Sequence, residues 1–183
     1  MDNGASSYRH FLDGDSNAFS EIIDLYRDSL IFFINRTVNN LSAAEELAAD
    51  TLAELFVSRR YNFSVTLKTY LFAIAHHKTV SYIRRQSKYG MLSLEDAENK
   101  SAEYIDFEDN LIRDEQRAAL HEALGKLDDG YRQVLHLIYF EEMSYEEAAR
   151  IMKKSRKQID NLVYRGKIAL RKILEKEGFV YEE

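Results

Sequence analysis

Cysteine and proline are absent from this chain of 183 residues, and glycine occurs only seven times. Without cysteine there is no disulfide, no cysteine-ligated zinc and no thiol nucleophile. Without proline, and with so little glycine amid abundant Leu, Ala, Glu, Lys and Arg, there is little material for turns between strands. The fold is therefore predicted to be all-α. Also lacking is an apolar run of about 18 residues, the length a membrane helix needs. The opening MDNGASSYRHFLDGD has neither the basic nor the apolar part of a signal peptide. These two absences predict a cytoplasmic protein with no membrane insertion.

Catalytic patterns are missing as well. His76 and His77 are adjacent, so on a helix they point about 100° apart and do not form the i, i+4 pair that could share a metal. There is no HExxH, no glycine-rich phosphate loop and no spacing that suggests a Ser/His/Asp set. The carboxylates read as solvated helix faces. No catalytic residue, metal site or cofactor is expected.

Acid is in excess overall, at a net charge of −6, yet it is missing from one stretch and nearly so from another. Residues 59–88 carry Arg59, Arg60, Lys68, Lys78, Arg84, Arg85 and Lys88 with no acid. Residues 153–172 carry eight bases against Asp160 alone. Together they hold +14, so the rest of the chain carries −20. Two basic patches on an acidic body are the electrostatic footprint of a chain that meets nucleic acid at two places.

The apolar period organises the rest. Phe19, Ile22, Ile23, Tyr26, Leu30, Phe33, Val38 and Leu41 recur at helical spacing after the turn-forming DGDSN, predicting a first helix over roughly 17–40. Ser42, three residues before Glu45, suggests a capping box that opens a second helix. SRRYNFSV reads as a loop, and a third helix runs from about Thr66 to Ser87. Residues 89–110 hold seven acids against one lysine without a sustained apolar period, and read as a linker. Helical pattern resumes over Leu111 to Leu127 and Tyr131 to Phe140. Two further helices follow, capped by Ser144 with Glu147 and by Ser155 with Gln158. Helix, short turn, basic helix is how a helix-turn-helix reads.

On the third helix, Tyr70, His77, Ser81, Arg84 and Lys88 fall on one outward stripe. Tyr61 and Phe63 in the preceding loop, with Tyr70 and Phe72, offer ring faces on which an unstacked base could lie, although Phe72 reads more naturally as core. On the last helix, Ile159, Leu162, Val163, Gly166, Ala169, Leu170 and Ile173 form the inward side. Arg156, Lys157, Asp160, Asn161, Tyr164, Arg165 and Lys167 are left outward, where Arg and Lys can read guanine, Asn adenine and Asp cytosine. Lys153, Lys154 and Arg165 suit phosphates.

Four blocks, GDSNAFSEIIDLY (14–26), AAEELAADTLAELF (43–56), TYLFAIAHHKTVSYIRR (69–85) and the stretch 127–174, resemble in order and spacing a bacterial sigma factor of the extracytoplasmic-function (ECF, group IV) type. The resemblance implies two small helical domains. Region 2, a three-helix bundle, would span 1–88, the acidic linker 89–110, and region 4, with its helix-turn-helix, 111–183. It implies a non-enzymatic promoter-specificity subunit that recruits core RNA polymerase. Leu47, Asp50, Thr51, Glu54 and Leu55 would dock on the clamp helices of the largest subunit, and region 4 would meet the flap. Arg59, Arg60, Tyr61, Phe63, Tyr70, His77, Ser81, Arg84, Arg85 and Lys88 would capture the −10 promoter element. Lys153, Lys154, Ser155, Arg156, Lys157, Gln158, Asp160, Asn161, Tyr164 and Arg165 would bind the −35 element. The linker would thread the polymerase near the RNA path.

Ala49, then His76, His77 and Ser81 after Ala75, then Asp128, and Gln158 to Asn161 stand where that family usually has other residues, which leaves the promoter sequence open; the resemblance also admits an anti-sigma factor as a partner. The alternative is an autonomous helix-turn-helix regulator with an N-terminal oligomerisation or effector domain. A sigma factor with two DNA-reading domains on one linker is further expected to be either mobile or closed when free. In a closed state the basic stripe of the third helix would be shielded by region 4 or a partner.

Overall fold

The computed structural model describes residues 4–88 and 119–178, and every regular element among them is helical. The acidic stretch 89–110 and the beginning of the helix expected from Leu111 fall outside the described residues.

The first helix, α1 (Ala5–Leu12), precedes the three helices expected in this half. It enters through Gly4 at φ 76°, where a Cβ would also meet Leu67 Cδ2 at 3.2 Å, so both conformation and space demand glycine. Tyr8 on α1 is fully buried, its hydroxyl facing the Leu55 carbonyl at 3.4 Å and its ring edge-on to Tyr61 at 5.3 Å.

Helix α2 (Ser16–Val38) begins where Asp15 Oδ1 accepts from the Asn17 amide at 2.9 Å. It ends at Asn39 in the left-handed conformation. Helix α3 (Leu41–Ser58) is capped by Asn40, which accepts from Ala43 N at 3.0 Å. This replaces the cap expected at Ser42: the left-handed turn at Asn39 leaves Asn40 extended at the helix mouth, and Asn caps as well as Ser. Helix α4 (Leu67–Lys88) follows the loop, with the Thr66 hydroxyl accepting from Thr69 N at 3.1 Å. Ile22, Leu30, Phe33, Leu55, Leu67, Leu71 and Phe72 fill the space between these helices.

In the second half, helical residues 119–125 form α5. Arg132 gathers its end by donating from Nε to Leu124 O at 3.1 Å and from Nη2 to Gly125 O at 2.9 Å, carbonyls of the last helical turn. Helix α6 (Asp129–Leu135) widens into a π-helical turn over His136–Phe140. Helices α7 (Tyr145–Met152) and α8 (Arg156–Lys176) each start with a complete capping box, Ser144 with Glu147 and Ser155 with Gln158. Gly166 of α8 sits where a Cβ would come within 3.3 Å of Tyr131, which sets how closely α8 lies on α6.

The two halves pack together. Helix α7 lies on α4 and α6 on α2. Lys68 Nζ is 2.8 Å from Glu141 Oε2 and donates to the Glu141 carbonyl at 2.8 Å; His136 Nε2 lies 3.1 Å from Glu141 Oε1. Gln133 Nε2 donates to Thr37 Oγ1 at 3.1 Å, and Arg132 Nη1 to Arg36 O at 2.5 Å. The His136 ring stacks on Phe140 at 5.3 Å and packs against Phe32 and Phe33 of α2.

Burial lowers the His136 pKa because the cation is costly out of water. Repulsion from Arg36 and Lys68 adds to this, against the pull of Glu141. Its Nδ1 has no hydrogen-bond partner among the described residues, as suits a neutral ring donating from Nε2. His76 is lowered for the same first reason, opposed by a hydrogen bond with Gln133.

A histidine with a depressed folded pKa contributes stability fully present above its unfolded value of about 6.5 and lost as pH falls toward the folded one. Thermal unfolding should therefore show a midpoint that drops as pH is lowered from 7.5 to 5.5. His136→Gln, which can still donate to Glu141 but takes no proton, should remove part of that slope and leave the share due to His76. In denaturant titrations Tyr8→Ala should cost roughly 3 kcal/mol, the scale of an aromatic truncation in a packed core.

Candidate nucleic-acid interface

Helix α8 divides as its sequence pattern requires. Ile159, Val163 and Gly166 are buried, and Leu162, Ala169, Leu170 and Ile173 half-buried. Lys153, Lys154, Ser155, Arg156, Lys157, Gln158, Asp160, Asn161, Tyr164 and Arg165 are all exposed, on the turn and the first three helical turns. Lys153 ends α7 in the left-handed conformation at φ 52°, and the chain turns there into α8, which packs back on α6 and α7.

Arg156 is not idle on that surface. It donates to Glu146 at 2.9 Å, pairs with Asp160 one turn on, and lies 4.1 Å over the Tyr145 ring. Its hydrogen bond to Asp160, with that to Glu146, raises its pKa. The pairs hold Arg156 and Asp160 in fixed poses on an exposed face, where a base or phosphate could exchange with either carboxylate at little cost.

On α4 the outward stripe is only partly as expected. His77, Arg84, Arg85 and Lys88 are exposed, with Tyr70 and Ser81 half-buried. Phe72 is fully buried. Arg59 and Arg60 stand exposed at the end of α3, and Arg59 takes the left-handed conformation and lies 5.5 Å from the Phe11 ring centre.

Tyr61 departs from the open stacking platform read from the sequence. It is 5% exposed, its hydroxyl donates to Val65 O at 2.7 Å, and its ring is enclosed by Tyr8, Phe63 and Tyr70. The cause is α1, which supplies Tyr8 as the wall that the expected bundle lacked. Phe63 is the half-buried aromatic of the loop, in the left-handed conformation at φ 62°, with the Arg9 guanidinium 4.8 Å above it. Arg9 was not among the expected residues. Its signal was its place one residue after the aromatic Tyr8, which fixes its helix against the loop.

On α3 the five expected docking residues separate into two sets. Asp50 and Glu54 are exposed, whereas Leu47, Thr51 and Leu55 face the core. The inward three set the helix's orientation, and the two outward residues are acidic. Glu54 pairs with Lys78 of α4 at 3.0 Å.

The shielding of the α4 stripe expected in a closed state is not what closure does. The second half covers the neighbouring face, where Lys68 is half-buried against Glu141 and Thr69 buried against Glu147, and leaves the Arg84 end open. Among the described residues, no helix is long and apolar enough to cross a membrane, and no group of three or more His, Asp or Glu is placed to hold a metal.

Comparison with known proteins agrees with this arrangement. Sigma-70 region 2 matches residues 22–89 and sigma-70 region 4 matches 117–170. The RNA polymerase sigma factor YlaC of Bacillus subtilis is 30% identical over 85% of this chain and 92% of its own length. The ECF RNA polymerase sigma factor SigW of the same organism is 28% identical over 88% and 91%. Among solved structures, the sigma factor RpoE in complex with the anti-sigma factor NepR from Bartonella quintana shares the fold. Its TM-score is 0.67 at 23% identity, covering 86% of this chain and 96% of that one. CnrH in complex with the cytosolic domain of CnrY gives 0.65 at 19%, over 95% and 96%. The chain belongs to the ECF-type RNA polymerase sigma factors, which direct promoter recognition by core polymerase.

Proposed function

We propose that the two exposed basic faces divide the promoter between them. Helix α4 and the loop before it take the −10 element as an unpaired strand, through Arg59, Arg60, Phe63, Tyr70, His77, Ser81, Arg84, Arg85 and Lys88. Helix α8 and its turn take the −35 element as duplex. The observation that carries this reading is the full outward exposure of the ten residues from Lys153 to Arg165 named above, on a helix whose opposite side is core. Asn161 and Lys157 read bases there, while Lys153 and Lys154 hold phosphates. Asp50 and Glu54 on α3 meet the polymerase clamp helices, and the second half meets the flap.

In this reading region 2 occupies 1–88, the acidic linker 89–110 and region 4 111–183. The chain acts in the cytoplasm, without catalysis of its own. An anti-sigma factor as a further partner is supported by the two structural relatives, each of which was solved with a second protein. An autonomous regulator that binds duplex DNA alone would have no use for a region 2 surface, which disfavours it.

Two experiments test the assignment. Arg84→Glu with Arg85→Glu should weaken promoter opening while leaving pull-down of core polymerase intact, because those contacts form only with DNA present; equal loss of both would count against the division. A base-substitution panel should show Asn161→Ala losing about 1–3 kcal/mol of discrimination at one −35 position. A uniform loss across sequences would remove it from the base readers.

A further inference from the structure

Beside the loop that receives the unpaired strand lies an open cleft of about 460 Å³. One wall comes from region 2: Arg9, Phe63, Ser64, Thr66 and Thr69. The other comes from α7 of region 4, through Glu147 and Arg150. Glu147 Oε1 accepts from the Thr69 hydroxyl at 2.9 Å and from that of Thr66 at 3.3 Å, while Oε2 completes the capping box with Ser144. A nucleic-acid phosphate approaching those hydroxyls would meet a carboxylate already there.

Directly before Thr69 on α4, Lys68 is held by Glu141, whose side chain is only 7% exposed and receives His136 on its other oxygen. Burial works against the charge of Glu141, but hydrogen bonds from His136 and Lys68 keep it ionised. We propose that Glu141 and Glu147 are an internal latch: two carboxylates of region 4 bind Lys68, Thr66 and Thr69 of region 2, hold the free chain closed and keep the −10 strand out of the loop cleft. Release requires α7 to leave α4, so core polymerase and promoter act on the chain only by opening it. Exclusion of the −10 strand rests on the promoter reading above; the closure itself does not.

The latch is polar, and this makes it reversible. Each of its groups can return to water when the halves part, whereas removing one partner of the half-buried Lys68–Glu141 pair leaves the other charge stranded. Charge reversal on one side should therefore open the chain, and reversal on both sides should close it again.

Since the chain has no cysteine, Ser20→Cys on exposed α2 and Lys172→Cys on exposed α8 can be labelled alone as a donor–acceptor pair. In the free chain at nanomolar concentration a single transfer efficiency is expected. Lys68→Glu should change it, and Lys68→Glu with Glu141→Lys should restore it. Core polymerase should move the parent chain toward the Lys68→Glu value. A second readout uses fluorescent oligothymidylate of twenty residues. Glu147→Gln should tighten its binding at least about threefold more than Glu142→Gln, which removes an equal charge from an exposed position outside the cleft.

Transfer that ignores Lys68→Glu, or that the double reversal does not restore, overturns the latch. So does equal tightening by Glu147→Gln and Glu142→Gln. A chain that shows the reversal and its rescue but does not bind core polymerase would keep the latch and overturn the promoter reading instead.

Discussion

The carboxylate of Glu141 is the most buried charge in the contact between the two halves of this protein that the described residues show. It lies at the exit of the π-helical turn, out of water, with Lys68 of region 2 on one oxygen and His136 of region 4 on the other. Stripped of Lys68 it would be a buried charge with no opposite charge beside it, and such a group costs several kcal/mol. The π-turn, the stacking of His136 on Phe140 and the approach of α7 to α4 all serve to bring these three groups into one place.

The character of that contact matters for function. One apolar interior runs through both halves, from Phe33, Leu55 and Leu71 in the first to Leu137, Ile151 and Ile159 in the second. Beside that shared interior, the contact between the halves carries paired polar groups: Gln133 with Thr37, Arg132 with the Arg36 carbonyl, and Glu147 with two hydroxyls. Polar groups regain hydrogen bonds to water when an interface parts, so the closed arrangement is held without being irreversible. On the promoter division proposed above, the two halves take separate DNA segments, and a contact that can part allows this. Closure hides the loop side of α4 and leaves the recognition face of α8 in solvent.

Much of this was legible in the sequence wherever the cause was local. Both capping boxes, the inward stripe of α8 and its exposed charges follow from spacing along one helix, and the structure places them there. Helix α1 was not legible: it is eight residues long, lacks a side-chain cap, and owes its order to Tyr8 meeting Leu55 and Tyr61, some fifty residues away. The same contact buried Tyr61, which in a bundle without α1 would have been open. The cap at Asn40 depends on the left-handed turn at Asn39, which asparagine accommodates but the apolar period does not show. The pair Lys68–Glu141 joins residues 73 apart in the chain and leaves no periodic trace.

The central claim is that this one chain confers promoter choice on a polymerase that otherwise lacks it. The most direct measurement is run-off transcription on fragments of its own genome, with core polymerase and with or without the chain. The account predicts transcripts of discrete length only when both proteins are present. Retarded duplex DNA with the chain alone, and transcription by core polymerase unchanged by its addition, would contradict it.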